Sequence, residues 1–329
     1  MVKKLFAAIL CLLLVGCGPQ TTSTSHKIKV VTTTFPSYDA LRAIIGNDSD
    51  YDLHMLLKPG ADAHSYEPSP EDIIKVENAD MFVYTGGDSD TWVNEILTDK
   101  KHGKVIKLMD LVEKREEEEA EGMEEEKDEH HHHDDEEEHD HDHEGDEEEE
   151  EEYDEHVWLS LKNAQLFVSA IADSLSQADI AHADAYAANA VAYNKQLAQL
   201  DAAYQSAVDA APIKTVLFAD RFPFRYLVDD YGLSYYAAFS GCSADTQASF
   251  DTIIFLADKV NELGLHSILT IENSDDKIAN TIIQNTQSRD QQVRTLNSMQ
   301  TVTSNDLASG TTYLSIMKEN LSVLSAALQ

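Results

Sequence analysis

The chain has 329 residues, room for about two domains, and its 42 % hydrophobic content is enough for a packed core without disulfide staples. Its 61 acidic against 24 basic residues give a net charge of -37, which excludes a nucleic-acid partner and favours cations. The excess is local: residues 113–152 hold 26 acids, 3 bases and 7 histidines, a net charge of -23, and the rest of the chain carries -14.

The first residues, "MVKKLFAAILCLLLVGC", have a basic start at Lys3 and Lys4, an apolar run from Leu5 to Val15 and a small residue before Cys17. The run is too short for a permanent membrane span and reads as a signal peptide over residues 1–16. "LVGC", Leu14 to Cys17, resembles a bacterial lipobox, so Cys17 is expected to carry lipid at the head of a polar tether, residues 17–26. The rival is an ordinary signal peptide that leaves Cys17 free. On the lipobox reading Cys11 leaves with the signal and Cys17 is acylated, so Cys242 stands alone and no intrachain disulfide forms.

"KIKVVTTTF", Lys27 to Phe35, is a β-branched run that reads as a buried first strand. "PSYDALRAIIG" follows with apolar residues at helical spacing and a stop at Gly46. "YDLHMLL" is a second strand, and "PEDIIKVENA" a helix with Pro70 at its first position. "DMFVYTG" is a third strand, "DTWVNEIL" a helix and "GKVIKLMDL" a fourth strand. After the acidic segment a helical pattern runs from Leu161 to Ala211 and ends at Pro212. Straight, it would reach about 75 Å, so a break is expected near Ser176 to Ala181. The alternation then resumes. Strands "KTVLFA", "SYYAAF", "SILTIE" and "QQVRTLNS" are separated by helices "PFRYLVDDYG", "SFDTIIFLADKVNELG" and "DDKIANTIIQNT", and "TTYLSIMKENLSVLSAAL" is a terminal helix. Alternating strands and helices predict parallel sheets covered on both faces. The expected architecture is α/β, two such lobes joined by one long helix. By residue the expected division is an N-terminal lobe over 27–160 with an acidic insert at 113–152, a connecting helix over 161–212, and a C-terminal lobe over 213–329.

Two histidines stand out. His64, in "KPGADAHSYEP", follows a strand end and so falls at the carboxyl edge of a parallel sheet, where open α/β folds keep their ligands. Glu67, three residues on, is a candidate to orient its ring. His156, in "YDEHVWLS", lies where apolar patterning restarts, with Asp154 and Glu155 adding negative potential. The plain alternatives are a surface loop histidine and the last histidine of the acidic tract. That tract, "HHHHDDEEEHDHDHE", carries His130, His131, His132, His133, His139, His141 and His143 among carboxylates. It cannot bury a core and reads as disordered, and imidazoles with carboxylates suit borderline divalent metals such as zinc. The other histidines, His26, His54, His102, His182 and His266, read as structural or surface residues.

The order "TTTFPSYDALRAIIG", "LLKPGADAHSYEPSPEDI", "ADMFVYTG", acidic His-rich insert, "HVWLS…NA" strongly resembles the zinc/manganese solute-binding lipoproteins of bacterial ABC importers. The resemblance covers about Lys27 to Gln329. It implies two α/β domains bridged by a long helix, with the metal between them and the first two ligands at His64 and His156. It further implies a lipid-anchored monomer on the extracytoplasmic face that delivers zinc, with manganese as the alternative, to an ABC permease. The family's third and fourth ligand positions fall on Ala219 and Asn297, neither a strong ligand. Asp220, Glu272 and, third in line, Cys242 are therefore the candidates to complete the shell. A secreted metallohydrolase would need a motif such as HExxH, which the sequence lacks. An adhesive or metal-buffering surface lipoprotein differs only in its partner.

Overall fold

The structure, a computed structural model, describes residues 27–47, 50–97, 103–118, 120–123, 152–241 and 247–329. Its first lobe is a parallel sheet in the order β2-β1-β3-β4, built from β1 (Ile28–Thr32), β2 (Tyr51–Met55), β3 (Met81–Tyr84) and β4 (Lys104–Lys107). Helices α1 (Phe35–Ile45), α2 (Pro70–Glu77) and α3 (Trp92–Ile96) lie between successive strands. The pleat explains the apolar runs. Val30 faces the main core, while its neighbour Val31 faces a second cluster with Leu56, Val76, Phe82 and Val93. A strand buried on both sides needs apolar residues in succession, not in alternation. Helix α2 starts on a capping box: Ser69 Oγ accepts from the Asp72 backbone N–H while the Asp72 carboxylate accepts from the Ser69 backbone.

The helical run after the insert resolves into α4 (Leu161–Ala178) and α5 (Ala183–Ala210). The break is at Asp179, whose φ of -133° leaves the helical region and whose carboxylate accepts from Ala181 N, His182 Nδ1 and Tyr186 Oη. Helix α4 folds back along α5, with Asn194 Nδ2 donating to Gln165 O and Ser169 Oγ. Helix α5 is the joining helix, 28 residues and about 42 Å long. Its buried stripe (Tyr186, Ala190, Tyr193, Leu197, Leu200, Tyr204, Val208) follows the helical period. Near its start Tyr186 packs edge-on against Tyr51 of β2, and further along Tyr204 stacks on Tyr231 of the second lobe.

The second lobe repeats the plan, in the order β6-β5-β7-β8, with β5 (Thr215–Arg221), β6 (Ser234–Phe239), β7 (Ser267–Thr270) and β8 (Gln292–Thr295). Helices α6 (Arg225–Tyr231), α7 (Phe250–Leu263) and α8 (Lys277–Asn285) connect them, and α9 (Ser304–Ala308) and α10 (Tyr313–Ala327) finish the chain. The chain therefore adopts the expected architecture: two parallel sheets flanked by helices, joined by a long helix. Helix α10 returns to the first lobe, where Tyr313 N donates to Asp39 and Tyr313 Oη donates to the Trp158 carbonyl. The loops beyond the sheets' carboxyl edges meet. Gly60 N donates to Val302 O at 2.9 Å, Ala63 N to Gln300 O at 3.2 Å, and Arg221 pairs with Asp62 at 2.9 Å.

Candidate metal centre

His64 stands in a short 3-10 turn, Ala63–Ser65, after β2. Asp62 caps the turn, accepting from His64 N with one oxygen at 3.0 Å and from Arg221 Nη2 with the other at 2.9 Å. Burial would raise the Asp62 pKa, but the Arg221 guanidinium outweighs it and holds the carboxyl below its usual range. His156 precedes the 3-10 turn Val157–Leu159 and is fully buried. Asp154 holds it twice: one oxygen accepts from the backbone N–H at 2.8 Å and from ring Nδ1 at 3.2 Å. Gly241 forms the wall behind the ring. A Cβ there would lie 3.2 Å from His156 Cε1, and any larger residue would push the imidazole.

The two rings face one another. His64 Nε2 and His156 Nε2 are 3.1 Å apart, and the centroids are 5.1 Å apart. Behind His64, Nδ1 lies 3.1 Å from Ser89 Oγ and 3.2 Å from Glu155 Oε1. Ser89 Oγ itself donates to Glu155, so it is free to accept from the ring. Each Nδ1 therefore carries its proton toward oxygen, and each Nε2 presents a lone pair. Two lone pairs this close repel each other unless an electron-pair acceptor lies between them. A carboxylate behind each imidazole and both free nitrogens converging is the usual construction of a histidine metal site.

Carboxylates surround the imidazoles with negative charge. Burial would raise Glu155, but the neighbouring imidazoles and Ser89 outweigh it and keep the carboxyl below its usual range. Burial would lower His156, but Asp154 beside it outweighs that and raises it. Gly87 is required for this packing: at φ +79° a Cβ would sit 2.6 Å from Glu155 Cβ and Oε2. Among the described residues, His64, Glu155 and His156 form a His/carboxylate group whose candidate ligand atoms all lie within 4.8 Å of one another.

The remaining candidates fall elsewhere. Asp220 accepts from Arg221 N and from Ile271 N, tying the edges of β5 and β7 together. Glu272 accepts from Ser298 N at 2.6 Å, Ser298 Oγ at 2.8 Å and Thr301 N at 3.1 Å, so it clamps the loop after β8. Neither belongs to the converging group. Glu67 is exposed, and Ser89 with Glu155 orients His64 instead. Ala219 is buried in the second lobe's core, and Asn297 is held by Asn320 on α10. The residue that does reach the imidazoles from this loop is Gln300. Its Nε2 lies 2.8 Å from His64 Nε2 and 2.6 Å from His156 Nε2. The available signal was position, five residues beyond the carboxyl end of a strand, but glutamine is too common a residue to stand out there. The histidine tract from His130 to His143, Cys17 and Cys242 lie outside the described residues.

Two sheets whose carboxyl edges close over a carboxylate-backed imidazole pair define a two-lobed binding protein with its ligand site in the cleft. Residues 30–327 match the family described as zinc-uptake complex component A, periplasmic, and the chain belongs to that family. The zinc-binding lipoprotein AdcA of Streptococcus pneumoniae is 33% identical over 330 residues, 98% of this chain and 60% of its own. The chain thus spans little more than half the length of that relative. The high-affinity zinc uptake system protein ZnuA of Bacillus subtilis is 30% identical, over 98% of this chain and 97% of its own. Among solved structures, the Zn(II)-bound ZnuA-like domain of S. pneumoniae AdcA superposes with a TM-score of 0.71 at 29% identity, covering 92% of this chain and 99% of that one. The metal-dependent lipoprotein YcdH of B. subtilis gives 0.72 at 25% identity, with 92% and 99% covered.

Proposed function

We propose that this protein captures zinc in the cleft between its lobes and hands it to the permease of an ABC importer, and that His64 and His156 are its principal ligands. The observation that carries the reading is the pair of Nε2 atoms 3.1 Å apart, each ring committed to oxygen acceptors through Nδ1. Neutral imidazoles suit zinc better than manganese, which prefers oxygen. The relatives' names, zinc-binding lipoprotein and zinc uptake protein, point the same way.

The chain's own groups do three things. Asp154 and Glu155 keep the imidazoles in one tautomer and balance an incoming dication. Loop contacts from both lobes shield the site from water, which strengthens every interaction within it. The nearest carboxylates are committed behind the rings, so none stands ready as a general base, and the geometry favours a carrier over a metallohydrolase. Cys17 is the proposed lipid attachment, placing the domain on the extracytoplasmic face of the membrane, and the histidines of the acidic insert are proposed to gather ions near the cleft.

The test is a competition titration against a chromophoric zinc chelator. Replacing a partner behind a ligand typically costs 10–100-fold in affinity, so His64→Ala and His156→Ala, which remove ligands outright, should each cost about 100-fold or more. Unchanged affinity in both variants would overturn the assignment.

A further inference from the structure

The acidic insert begins and ends in a short antiparallel stem. Glu116 and Tyr153 form its bridge, while Glu117 N donates to Glu152 O and Asp154 N to Arg115 O, both at 2.9 Å. The next facing pair, Arg115 with Asp154, is one in which two residues normally exchange both of their N–H···O bonds. They exchange only one. In place of the second stands the hydroxyl of Tyr226, which accepts from Arg115 N at 3.1 Å and donates to the Asp154 carbonyl at 3.0 Å. Tyr226 belongs to α6, in the second lobe, and is buried. Burial pushes its hydroxyl up to about 12, so the donor keeps its proton at neutral pH.

The second lobe grips the stem at further points on the same side. Arg115 Nε pairs with Asp229 of α6, and Arg225 with Glu118, each at 3.2 Å. Gly122 lies against the Phe255 ring of α7, where a Cβ would run into the ring. The two ion pairs are part-exposed, and such pairs contribute little on their own. The Tyr226 hydroxyl is buried, with one donor and one acceptor to satisfy, so it sets a definite spacing. What it spaces is Asp154, whose carboxylate holds the His156 backbone N–H at 2.8 Å and ring Nδ1 at 3.2 Å. The backbone of that residue is thus fixed from both sides, its N–H by the stem and its carbonyl by the other lobe.

We infer that Tyr226 is a positioning residue: by standing in the ladder of the stem it lets the second lobe hold Asp154, and through Asp154 the His156 imidazole, in register with His64. This rests on the reading of His64 and His156 as a zinc seat. The hydroxyl acts on the seat only through the stem, since both of its bonds go to stem backbone. Without it, Arg115 N–H and the Asp154 carbonyl stand too far apart to bond directly, and the remaining ring keeps the ladder from closing. Two backbone groups then lose their partner, and Asp154 is free to shift under His156. Coupling of this kind is reciprocal. Zinc tightens the Tyr226 contact by the same factor by which the contact tightens zinc.

The experiment is zinc affinity by chelator competition, and zinc release by stopped-flow capture, for the wild type, Tyr226→Phe, Asp154→Ala, the double variant of these two, and His156→Ala. The visible spectrum of the cobalt(II)-loaded proteins is a further readout, and melting curves verify folding. Groups behind a metal ligand typically carry 10–100-fold in affinity. Tyr226→Phe, one bond further out, should cost about tenfold, seen as faster release, and should alter the cobalt spectrum. In the Asp154→Ala background the same change should cost less than twofold, because the group it acts through is gone. A lower melting temperature with affinity and spectrum unchanged, or an equal cost in both backgrounds, would show that Tyr226 only supports the fold and that the inference is wrong. Should Tyr226→Phe fail to fold, amide exchange on the wild type decides. Arg115 N–H, exchanging through local opening of the stem, should slow about tenfold when zinc is bound, and equal exchange in the free and loaded protein overturns the inference. A failure of the underlying reading has a different signature: the wild type lacks a tight site, or His156→Ala keeps it.

Discussion

Asp90 is a buried acid that accepts from the backbone N–H groups of Thr85 and Gly86 at 3.0 and 2.9 Å, and so shapes the loop that carries Ser89 to His64. Burial pushes its carboxyl up to about 7, against the partial relief those N–H groups give. The unfolded carboxyl ionises near its ordinary value of about 3.9, so between that pH and about 7 the folded chain holds a proton the unfolded chain has lost. Asp90 therefore lowers stability as pH rises through this window, and the loss is complete above it. Asp90→Asn keeps an acceptor and has no proton to lose. Urea unfolding should show the variant gaining on wild type by about 3 kcal/mol between pH 4.5 and pH 8, and a pH-independent difference would refute the assignment. At this scale the sequence was uneven as a guide. His64 and His156 were legible because an imidazole after a strand end and another where apolar patterning resumes are each unusual. Gln300 was not, because its place beside the imidazoles is set by contacts of its loop with Glu272, Trp158 and Ala63, which are distant along the chain. Glu272 and Asp220 stand out in the sequence because a carboxylate at a strand end looks like a ligand, and in the structure the backbone N–H groups of neighbouring loops hold both.

The strands and their order of appearance could be read directly, since each is a short β-branched or aromatic run and parallel sheets bury both faces. The helical run after the insert was harder. Its length argued for a break near Ser176 to Ala181, and the break occurs at Asp179–His182 without glycine or proline. What stops α4 is a side chain that offers the backbone and its neighbours a better partner. The Asp179 carboxylate accepts from Ala181 N at 3.2 Å, His182 Nδ1 at 2.6 Å and Tyr186 Oη at 2.9 Å. The fold-back of α4 onto α5 was not legible, because an Ala-rich sequence specifies a helix without specifying which helix it meets. Asp179→Ala removes all three hydrogen bonds, two of them part-buried and one exposed, and loss of such a cap typically costs about 1–2 kcal/mol. Denaturant unfolding should show a loss of that size. Zinc affinity should stay within about twofold of wild type, as the turn touches none of the cleft residues and distant sites act independently. A large loss of affinity would mean the joining helix sets the cleft geometry more strongly than the contacts between the lobes suggest.

Across the whole molecule the charge is divided between two tasks. The cleft uses a few carboxylates behind imidazoles, whereas residues 113–152 concentrate a net charge of -23 with seven histidines. The segment leaves the first lobe after β4 and returns at Tyr153, where Glu116 and Tyr153 form an antiparallel bridge and Asp154 N donates to Arg115 O at 2.9 Å. Its two ends are thus stitched together directly beside Asp154, Glu155 and His156. A strongly negative segment raises the local concentration of dications at low ionic strength, and on the proposed collector role ions gathered along the insert would be released close to the cleft. Removing residues 124–150 and joining the ends with a short glycine-serine linker preserves the bridge, Arg115 and the cleft. Equilibrium dialysis should then show zinc stoichiometry falling to one per chain with the tight constant unchanged, and zinc uptake from dilute solution should slow at low salt more than at high salt. If the tight site disappears with the insert, its histidines are ligands of the main site and not collectors, and the two-imidazole cleft cannot by itself account for binding.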